Sequence, residues 1–190
     1  MLAERETNPV RDGHFKLTLE MFEALSNAGH FADAHVELLD GEIFVKGLQS
    51  QEYAYAIQNL SQLFYQRFAN RAVIRPQLPL VLLNPPPDFV EPDLALLNLP
   101  PSQYKTRNAN AADALLVIEV SDSTLERDQT AKLRAYARNN IPEYWILNLH
   151  TQQLEVMREP SGEEYLLTRK YKVGQSVALL EFPDVPLEWW

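Results

Sequence analysis

Three acidic residues and one lysine offer the chemistry that stands out in this sequence. Glu37, Asp93 and Glu119 occupy positions that pattern as β-strand, and Lys132 falls on the helix predicted after Glu119. Two carboxylates on one sheet can hold Mg²⁺, whose octahedral shell keeps several waters available for attack. A lysine beside such a pair can orient or deprotonate the water and stabilise a phosphoryl transition state. Together the four residues point to metal-dependent hydrolysis of a phosphate ester.

Each of the four also has an ordinary structural explanation. Asp93 follows Pro92 and can serve as a turn acceptor, and Glu37 can face outward on a hairpin. Glu119 can mark the end of a strand, and Lys132 can lie on a solvated helix face. An ionised Glu119 within an apolar strand is costly, however, unless a cation, a metal or several hydrogen-bond donors meet it.

Other catalytic classes find no support in the residue patterns. The chain has no Gly-rich phosphate loop and no Gly-x-Ser-x-Gly motif, and its 4 histidines form no pair at helical i, i+4 spacing. The cysteine count is 0, which removes thiolate metal sites and cysteine nucleophiles together. Zinc and triad catalysis are therefore not expected.

The stretch 115–149 must position Glu119 and Lys132. Residues 115–121 form an apolar, β-branched run that predicts a strand buried on both faces, with Glu119 as its one carboxylate. Residues 141–149 form a second apolar run. A strand, a helix and a strand within about 35 residues predict a right-handed crossover between two parallel neighbours.

The helix between these strands is predicted over residues 124–138. Ser123, followed three residues later by Glu126, is a capping-box pattern that predicts its start. At roughly 100° per residue, Lys132 lies on the flank of the apolar face, where Asp128 can pair with it. We expect Tyr136, on the same helix, to pack in the core. The helix also carries three arginines that form either a solvated face or a phosphate-contacting stripe, namely Arg127, Arg134 and Arg138.

Helical spacing of apolar residues predicts two earlier helices, over residues 18–28 and 50–69. Asp40-Gly41, between two strand-like runs, predicts a β-hairpin with a type I′ turn. Residues 73–83 contain two prolines and are predicted to lie at a sheet edge or to contain an irregularity. Residues 98–113 are predicted to form a loop over the site. Short strands after residue 150 should extend the sheet by hairpins. The expected fold is α/β, with a central mixed β-sheet flanked by helices and preceded by an N-terminal helix and β-hairpin.

Length and composition fit one globular domain. Of the 190 residues, 46% are hydrophobic, and we expect a flexible tail over residues 1–13 and a single domain over residues 14–190. No run reaches the roughly 18 apolar residues of a membrane span, and no signal pattern opens the chain, so a cytoplasmic location without a membrane partner is expected. The net charge of −9 argues against broad charge-driven adhesion to nucleic acid. A metal that neutralises carboxylates and phosphate would still permit a nucleic-acid enzyme.

Several short motifs occur along the chain in a characteristic order. They are Glu37-Leu-Leu-Asp-Gly41, Glu91-Pro-Asp93, Val-Ile-Glu119-Val-Ser-Asp-Ser-Thr124, Asp128-x-x-x-Lys132 and Ile-Pro-Glu143-Tyr-Trp145. In this order they strongly resemble the Uma2 family (DUF820) of bacterial proteins, a branch of the PD-(D/E)XK nuclease superfamily. The resemblance covers about residues 15–180 and is most specific over residues 119–145.

The resemblance implies a restriction-endonuclease-like fold and a Mg²⁺-dependent endonuclease that hydrolyses DNA phosphodiester bonds. Asp93, Glu119 and Lys132 would be catalytic, and Glu37, Asp93 and Glu119 would hold Mg²⁺ or Mn²⁺. Ser121 stands where the lysine of the superfamily motif falls, so Lys132 on the following helix is the implied substitute. The resemblance also implies a homodimer, in which two sites cut two strands.

Two departures from the family pattern leave an alternative open. Ser121 replaces the superfamily lysine, and Tyr53 stands near where many Uma2 members carry a histidine. The alternative is a catalytically weak or inactive module of the same fold that binds a protein or nucleic-acid partner.

Overall fold

A mixed sheet, formed by the strands that carry the Asp93 and Glu119 motifs, lies at the centre of the computed structural model, which describes residues 10–11 and 13–189. The strands are β1 (Val10–Arg11), β2 (His14–Phe15), β3 (Val36–Leu39), β4 (Glu42–Val45), β5 (Val73–Pro76), β6 (Leu80–Leu82), β7 (Asp88–Val90), β8 (Leu94–Leu97), β9 (Ala109–Asn110), β10 (Ala114–Ser121), β11 (Glu143–Asn148), β12 (Gln153–Ser161), β13 (Glu164–Tyr171), β14 (Ser176–Ala178) and β15 (Pro186–Glu188). The helices are α1 (Leu19–Asn27), α2 (Gln51–Phe68), α3 (Leu125–Arg127) and α4 (Leu133–Arg138), and a π-helical turn, Asp128–Lys132, joins α3 to α4.

The strands at the centre of the fold form two sheets. The larger has the order β13-β12-β11-β10-β8-β5, with β10 and β11 parallel and the other pairs antiparallel, so the predicted crossover and mixed sheet are confirmed. The smaller has the order β4-β3-β7-β6-β9 and includes the predicted hairpin, whose turn residues Asp40 and Gly41 have positive φ. The prediction that residues 73–83 lie at a sheet edge or contain an irregularity is confirmed. The chain breaks at Gln77 (φ 49°), which places β5 at the edge of the larger sheet and β6 in the smaller one.

Alternation along β10 decides which way Glu119 points. Leu116 and Ile118 pack on one face of the sheet with α2 and β14, while Val117 packs on the other face with α4 and the smaller sheet. Side chains two residues apart share a face, so Glu119 points with Val117 toward α4. In the antiparallel neighbour β8, Leu94 is paired with Ile118, and the next residue back is Asp93, beside Glu119.

The start of the helix after β10 differs from the prediction. The N-cap residue of α3 is Thr124, and its side chain makes no capping hydrogen bond to the helix backbone. The predicted Ser123–Glu126 capping box is therefore wrong. Thr124 Oγ1 instead donates to Asp128 Oδ2 at 2.6 Å, and Ser121 Oγ donates to the same oxygen at 2.7 Å. The helix therefore begins on a buried carboxylate that is supplied by its own π-helical turn.

The ends of the chain add two small sheets. β12 and β13 extend the larger sheet by hairpins as predicted, but β14 pairs with β15 in a separate two-stranded sheet. The predicted tail, residues 1–13, lies mostly outside the described residues, and its described part includes β1, which pairs with β2. Within the part of the chain that the structure describes, no helix is long and apolar enough to cross a membrane.

Candidate active site

A pocket of about 240 Å³ opens where β8, β10 and α3 meet the loop between β4 and α2. Residues 45–50 of that loop form one wall. The chemically important side chains that line it are Tyr53, Asp93, Glu119, Arg127, Asp128 and Lys132. No residue of the connection 98–113, which was predicted to cover the site, lines this pocket. The loop at the site is instead the shorter one that follows the hairpin.

Asp93 is 4% exposed, and both of its carboxylate oxygens accept hydrogen bonds. Oδ2 accepts from the backbone N–H of Val120 at 2.8 Å, which fixes the carboxylate against β10. Oδ1 accepts from the Tyr53 hydroxyl. Burial raises the pKa of Asp93 above its ordinary value, although Lys46 and Lys132 oppose the rise.

Glu119 is 2% exposed and accepts two hydrogen bonds at a single oxygen. Lys132 Nζ donates to Oε1 at 2.9 Å and the Tyr136 hydroxyl at 2.6 Å. Burial raises the pKa of Glu119 to about 8, and the neighbouring carboxylate of Asp93 adds to the rise, although Lys132 opposes it. The ammonium of Lys132 thus does not fully offset the cost of burying an ionised Glu119.

Lys132 is 1% exposed, so the alternative of a solvated helix lysine is wrong. Its Nζ lies 2.9 Å from Glu119 Oε1 and 2.9 Å from Glu37 Oε1. Burial alone would lower the pKa of Lys132, but the two carboxylates outweigh it and raise the pKa well above the ordinary value. The side chain is therefore an ammonium, which can donate hydrogen bonds but cannot take a proton.

Glu37 has a different environment from the one predicted for a metal ligand. It is 1% exposed and does not line the pocket. Its Oε1 accepts from Lys132 Nζ and, at 2.8 Å, from the backbone N–H of Glu91. Burial raises the pKa of Glu37, but Lys132 and Lys46 more than reverse this and hold it below the ordinary value. The two carboxylates that share Lys132 thus differ, because Glu37 also has the positive charge of Lys46 nearby, while Glu119 has the carboxylate of Asp93 nearby.

The π-helical turn brings a third buried carboxylate, after Asp93 and Glu119, to the pocket. Asp128 is 1% exposed, and the hydroxyls of Ser121 and Thr124 satisfy its Oδ2. Its Oδ1 is buried and has no hydrogen-bond partner within the described ranges. No hydrogen bond joins Asp128 to Lys132 among those residues, so the predicted one-turn pair does not form. An unsatisfied buried carboxylate oxygen is costly unless a cation lies nearby.

A family model decides the classification of the chain. The Uma2 model, described as putative restriction endonuclease, matches residues 19–189. The chain belongs to the Uma2 family. It is also similar to the crystal structure of a putative nuclease belonging to DUF820 from Anabaena variabilis, with a TM-score of 0.71 and 14% identity over 90% of this chain and 94% of that one. This likeness confirms the predicted fold class. A comparison with curated proteins found no match.

Two hydroxyl groups at the site of this Uma2 chain, those of Tyr53 and Tyr136, are not predicted from the sequence. Tyr136 was assigned to the core, where its ring does pack against Tyr144, but its hydroxyl reaches Glu119. Its position four residues after Lys132, one helical turn on, was the available signal. Tyr53 was noted only as a departure from the family pattern, and its hydroxyl both donates to Asp93 and accepts from Gln77 Nε2 at 3.1 Å.

The oxygen donors of this pocket fit a hard divalent cation, which Uma2 membership implies. Asp93, directly before β8, lies beside Glu119 on β10, and Asp128, whose buried Oδ1 has no partner among the described residues, lines the same pocket. Over residues 10–11 and 13–189, no three histidine, aspartate or glutamate side chains are grouped to hold a metal ion, so Glu37 does not join Asp93 and Glu119 at one metal position. Mg²⁺ commonly takes one or two carboxylates and keeps waters for the rest of its shell.

Proposed function

We propose that this chain is a Mg²⁺-dependent endonuclease that hydrolyses phosphodiester bonds of DNA. The observation that carries the proposal is the pocket in which Asp93 and Glu119, from adjacent strands, face the buried ammonium of Lys132. Membership of Uma2, a family described as putative restriction endonuclease, supports the same reaction class. A carboxylate-lined pocket repels phosphate unless a cation is present, which is why the proposal includes the metal.

Asp93 and Glu119 are the side chains that would hold Mg²⁺ or Mn²⁺. Bound there, the ion would lower the pKa of a coordinated water and neutralise charge on the phosphate. The Val120 N–H keeps Asp93 in place for this role, and the Tyr136 hydroxyl does the same for Glu119. Neither carboxylate is free to turn away from the pocket, so the pair is preorganised.

Lys132 would orient the attacking water and stabilise the charge that develops on the phosphate. It acts as a hydrogen-bond donor, because the two carboxylates that contact it keep it protonated. Glu37 is a positioning residue that holds the ammonium from the side opposite the pocket. This assignment replaces the metal-ligand role that the resemblance implied for Glu37.

One observation favours the second candidate, a module that binds a partner without cutting it. Both oxygens of Asp93 already accept hydrogen bonds, one of them from the Tyr53 hydroxyl. A cation must compete with that hydroxyl for Oδ1. If it cannot, the pocket would bind no metal and the chain would not hydrolyse DNA.

Plasmid nicking with Mg²⁺ or Mn²⁺, together with Mn²⁺ calorimetry, tests the proposal. The wild type should nick supercoiled DNA and stop in EDTA, and Asp93→Asn should lose both nicking and Mn²⁺ binding. Asp184→Asn is the matched control, because Asp184 forms an exposed ion pair with Arg71 away from the pocket. Nicking that persists in EDTA, or Mn²⁺ binding that is equal in wild type and Asp93→Asn, would contradict the proposal.

A further inference from the structure

Arg127 is the last residue of α3, and its side chain lines the pocket. Its guanidinium lies over the ring of Phe44, 5.1 Å from the ring centroid. Its Nε is buried and has no hydrogen-bond partner within the described part of the chain. Leaving a buried donor without a partner is energetically unfavourable. The arginine is thus held by its stacking on the ring, while its N–H groups lack a protein acceptor.

The π-helical turn explains why Arg127 and Lys132 reach the same pocket. In a regular α-helix, residues five apart are roughly 140° apart around the axis. A π-helical turn closes i to i+5, so it brings such residues close to one face. The β3–β4 hairpin contacts both basic side chains. Glu37 and Phe44 are directly paired between β3 and β4 and therefore share a face of the hairpin. Glu37 meets Lys132, and Phe44 meets Arg127.

The other basic side chains of the pocket are already occupied. Lys132 is bound by Glu119 and Glu37, and Lys46 Nζ donates to the Glu91 backbone carbonyl at 2.6 Å. Among the described lining residues, Arg127 alone is a cation for which neither an ion pair nor a hydrogen bond is found. No carboxylate of the pocket pairs with the stacked guanidinium of Arg127, so its N–H donors are left for a ligand.

We propose that Arg127 binds the non-bridging oxygens of a substrate phosphodiester in this pocket. The planar guanidinium presents paired N–H donors that match phosphate geometry, and stacking on Phe44 fixes the plane of the fork before the substrate arrives. A phosphate would supply the acceptor that Nε lacks. This inference rests on the proposed function and extends it, since it assigns substrate binding to a residue separate from the metal ligands and from Lys132.

Arg134 provides a matched control on the same helix. It carries the same charge seven residues along the chain, but it is exposed and does not line the pocket. The probe is a fluorescent 12-base-pair DNA duplex in Ca²⁺, a hard cation with oxygen ligands, titrated between 50 and 200 mM salt. Arg127→Gln should weaken binding about 10-fold and reduce the salt slope by about 1, and Arg134→Gln should leave both nearly unchanged.

Two further variants separate a phosphate contact from loss of packing. Arg127→Lys keeps the charge but loses the fork, so the salt slope should be retained while affinity falls by several-fold. Phe44→Leu leaves the arginine in place without its aromatic support and should also weaken binding. Thermal unfolding of each variant shows that the fold is kept.

Equal binding and equal salt slopes for Arg127→Gln and Arg134→Gln would overturn the inference, whatever the plasmid-nicking result. If the wild type binds the duplex in an Arg127-dependent way but never nicks DNA, the inference stands and the proposed hydrolysis falls. If the wild type neither binds nor nicks DNA, both proposals are overturned.

Discussion

Lys132 is a residue whose burial determines what its removal should do. Without its ammonium, Glu37 and Glu119 would face each other as unpaired carboxylates in a buried site. Removing one partner of a buried ion pair typically costs about 3–5 kcal/mol. A surface pair would cost less than about 1 kcal/mol, so stability alone distinguishes the two environments.

We therefore expect Lys132→Met to lower the free energy of unfolding by about 3–5 kcal/mol, measured by urea denaturation in EDTA. DNA cleavage, assayed where the variant is still folded, should fall by on the order of 10² or more because the charge at the phosphate is lost. Lys105→Met on the exposed connection is the control and should change stability by less than about 0.5 kcal/mol. An unfolding free energy equal to that of wild type would show that Lys132 is not buried between carboxylates.

The Tyr53 hydroxyl donates to Oδ1 of Asp93, a proposed metal ligand. Replacing this tyrosine with phenylalanine removes the hydroxyl that competes with a cation for Oδ1, so Tyr53→Phe should bind Mn²⁺ several-fold more tightly in calorimetry. The same change leaves Gln77 Nε2 without its acceptor and should cost about 1 kcal/mol of stability. Weaker Mn²⁺ binding would instead mean that the hydroxyl holds Asp93 in its metal-binding orientation.

At the scale of elements, the helix after β10 depends on Asp128 rather than on a capping box. Ser121→Ala removes one of the two hydroxyls that satisfy Asp128 and should lower the free energy of unfolding by about 1–3 kcal/mol. Ser123→Ala is the matched comparison, because Ser123 is exposed and the helix start shows no side-chain cap. It should change stability by less than about 0.5 kcal/mol. The capping-box interpretation predicts the reverse order, and chemical denaturation of both variants decides between them.

At the scale of the whole molecule, Asp88 joins the smaller sheet to the end of α4. Its Oδ1 accepts from the backbone N–H of Asp40 in the hairpin turn at 2.7 Å, and its Oδ2 accepts from Arg138 at 2.9 Å. Burial raises the pKa of Asp88 from 3.8 to about 6, because desolvation outweighs both the N–H and the arginine. The contact is geometrically complete and still unfavourable to the ionised form.

A carboxyl whose pKa is raised in the folded state stabilises the protein most below its unfolded pKa and loses that contribution as pH rises through the folded pKa. Between pH 4 and 7, the free energy of unfolding of wild type should therefore fall relative to Asp88→Asn, by about 2 kcal/mol. Urea denaturation of both proteins across this range measures the difference, in which the other titrating groups cancel. A difference that does not change with pH would show that the Asp88 pKa is not raised.

The homodimer implied by the family resemblance stays a prediction at this scale. Two sites would be needed to cut two strands from one bound duplex. Sedimentation at the concentrations used for plasmid nicking tests it independently of the chemistry.

The local features of this protein could be predicted from its sequence. Helices α1 and α2 follow from apolar residues at helical spacing, the β3–β4 hairpin from Asp40-Gly41, and the parallel β10–β11 pair from an apolar strand, helix and strand in succession. Glu119 could be selected because an acidic residue within a buried strand is anomalous wherever the strand lies, and Asp93 because it opens an apolar strand directly after a proline. These are properties of short windows of residues, which periodicity and turn preferences capture.

Tertiary structure alone decided how the site is assembled. Glu37 and Lys132 are 95 residues apart in sequence, and only the packing of the hairpin against the helix makes them partners. The π-helical turn changes the helix register, so Arg127 and Lys132 share a face that a regular 100° period separates. In the sequence, Tyr53 and Tyr136 occupy apolar positions of their helices. Only the fold brings their hydroxyls to Asp93 and Glu119. Periodicity reports which face a residue takes, but the partner on that face is set by contacts between distant segments and by departures from regular helix geometry.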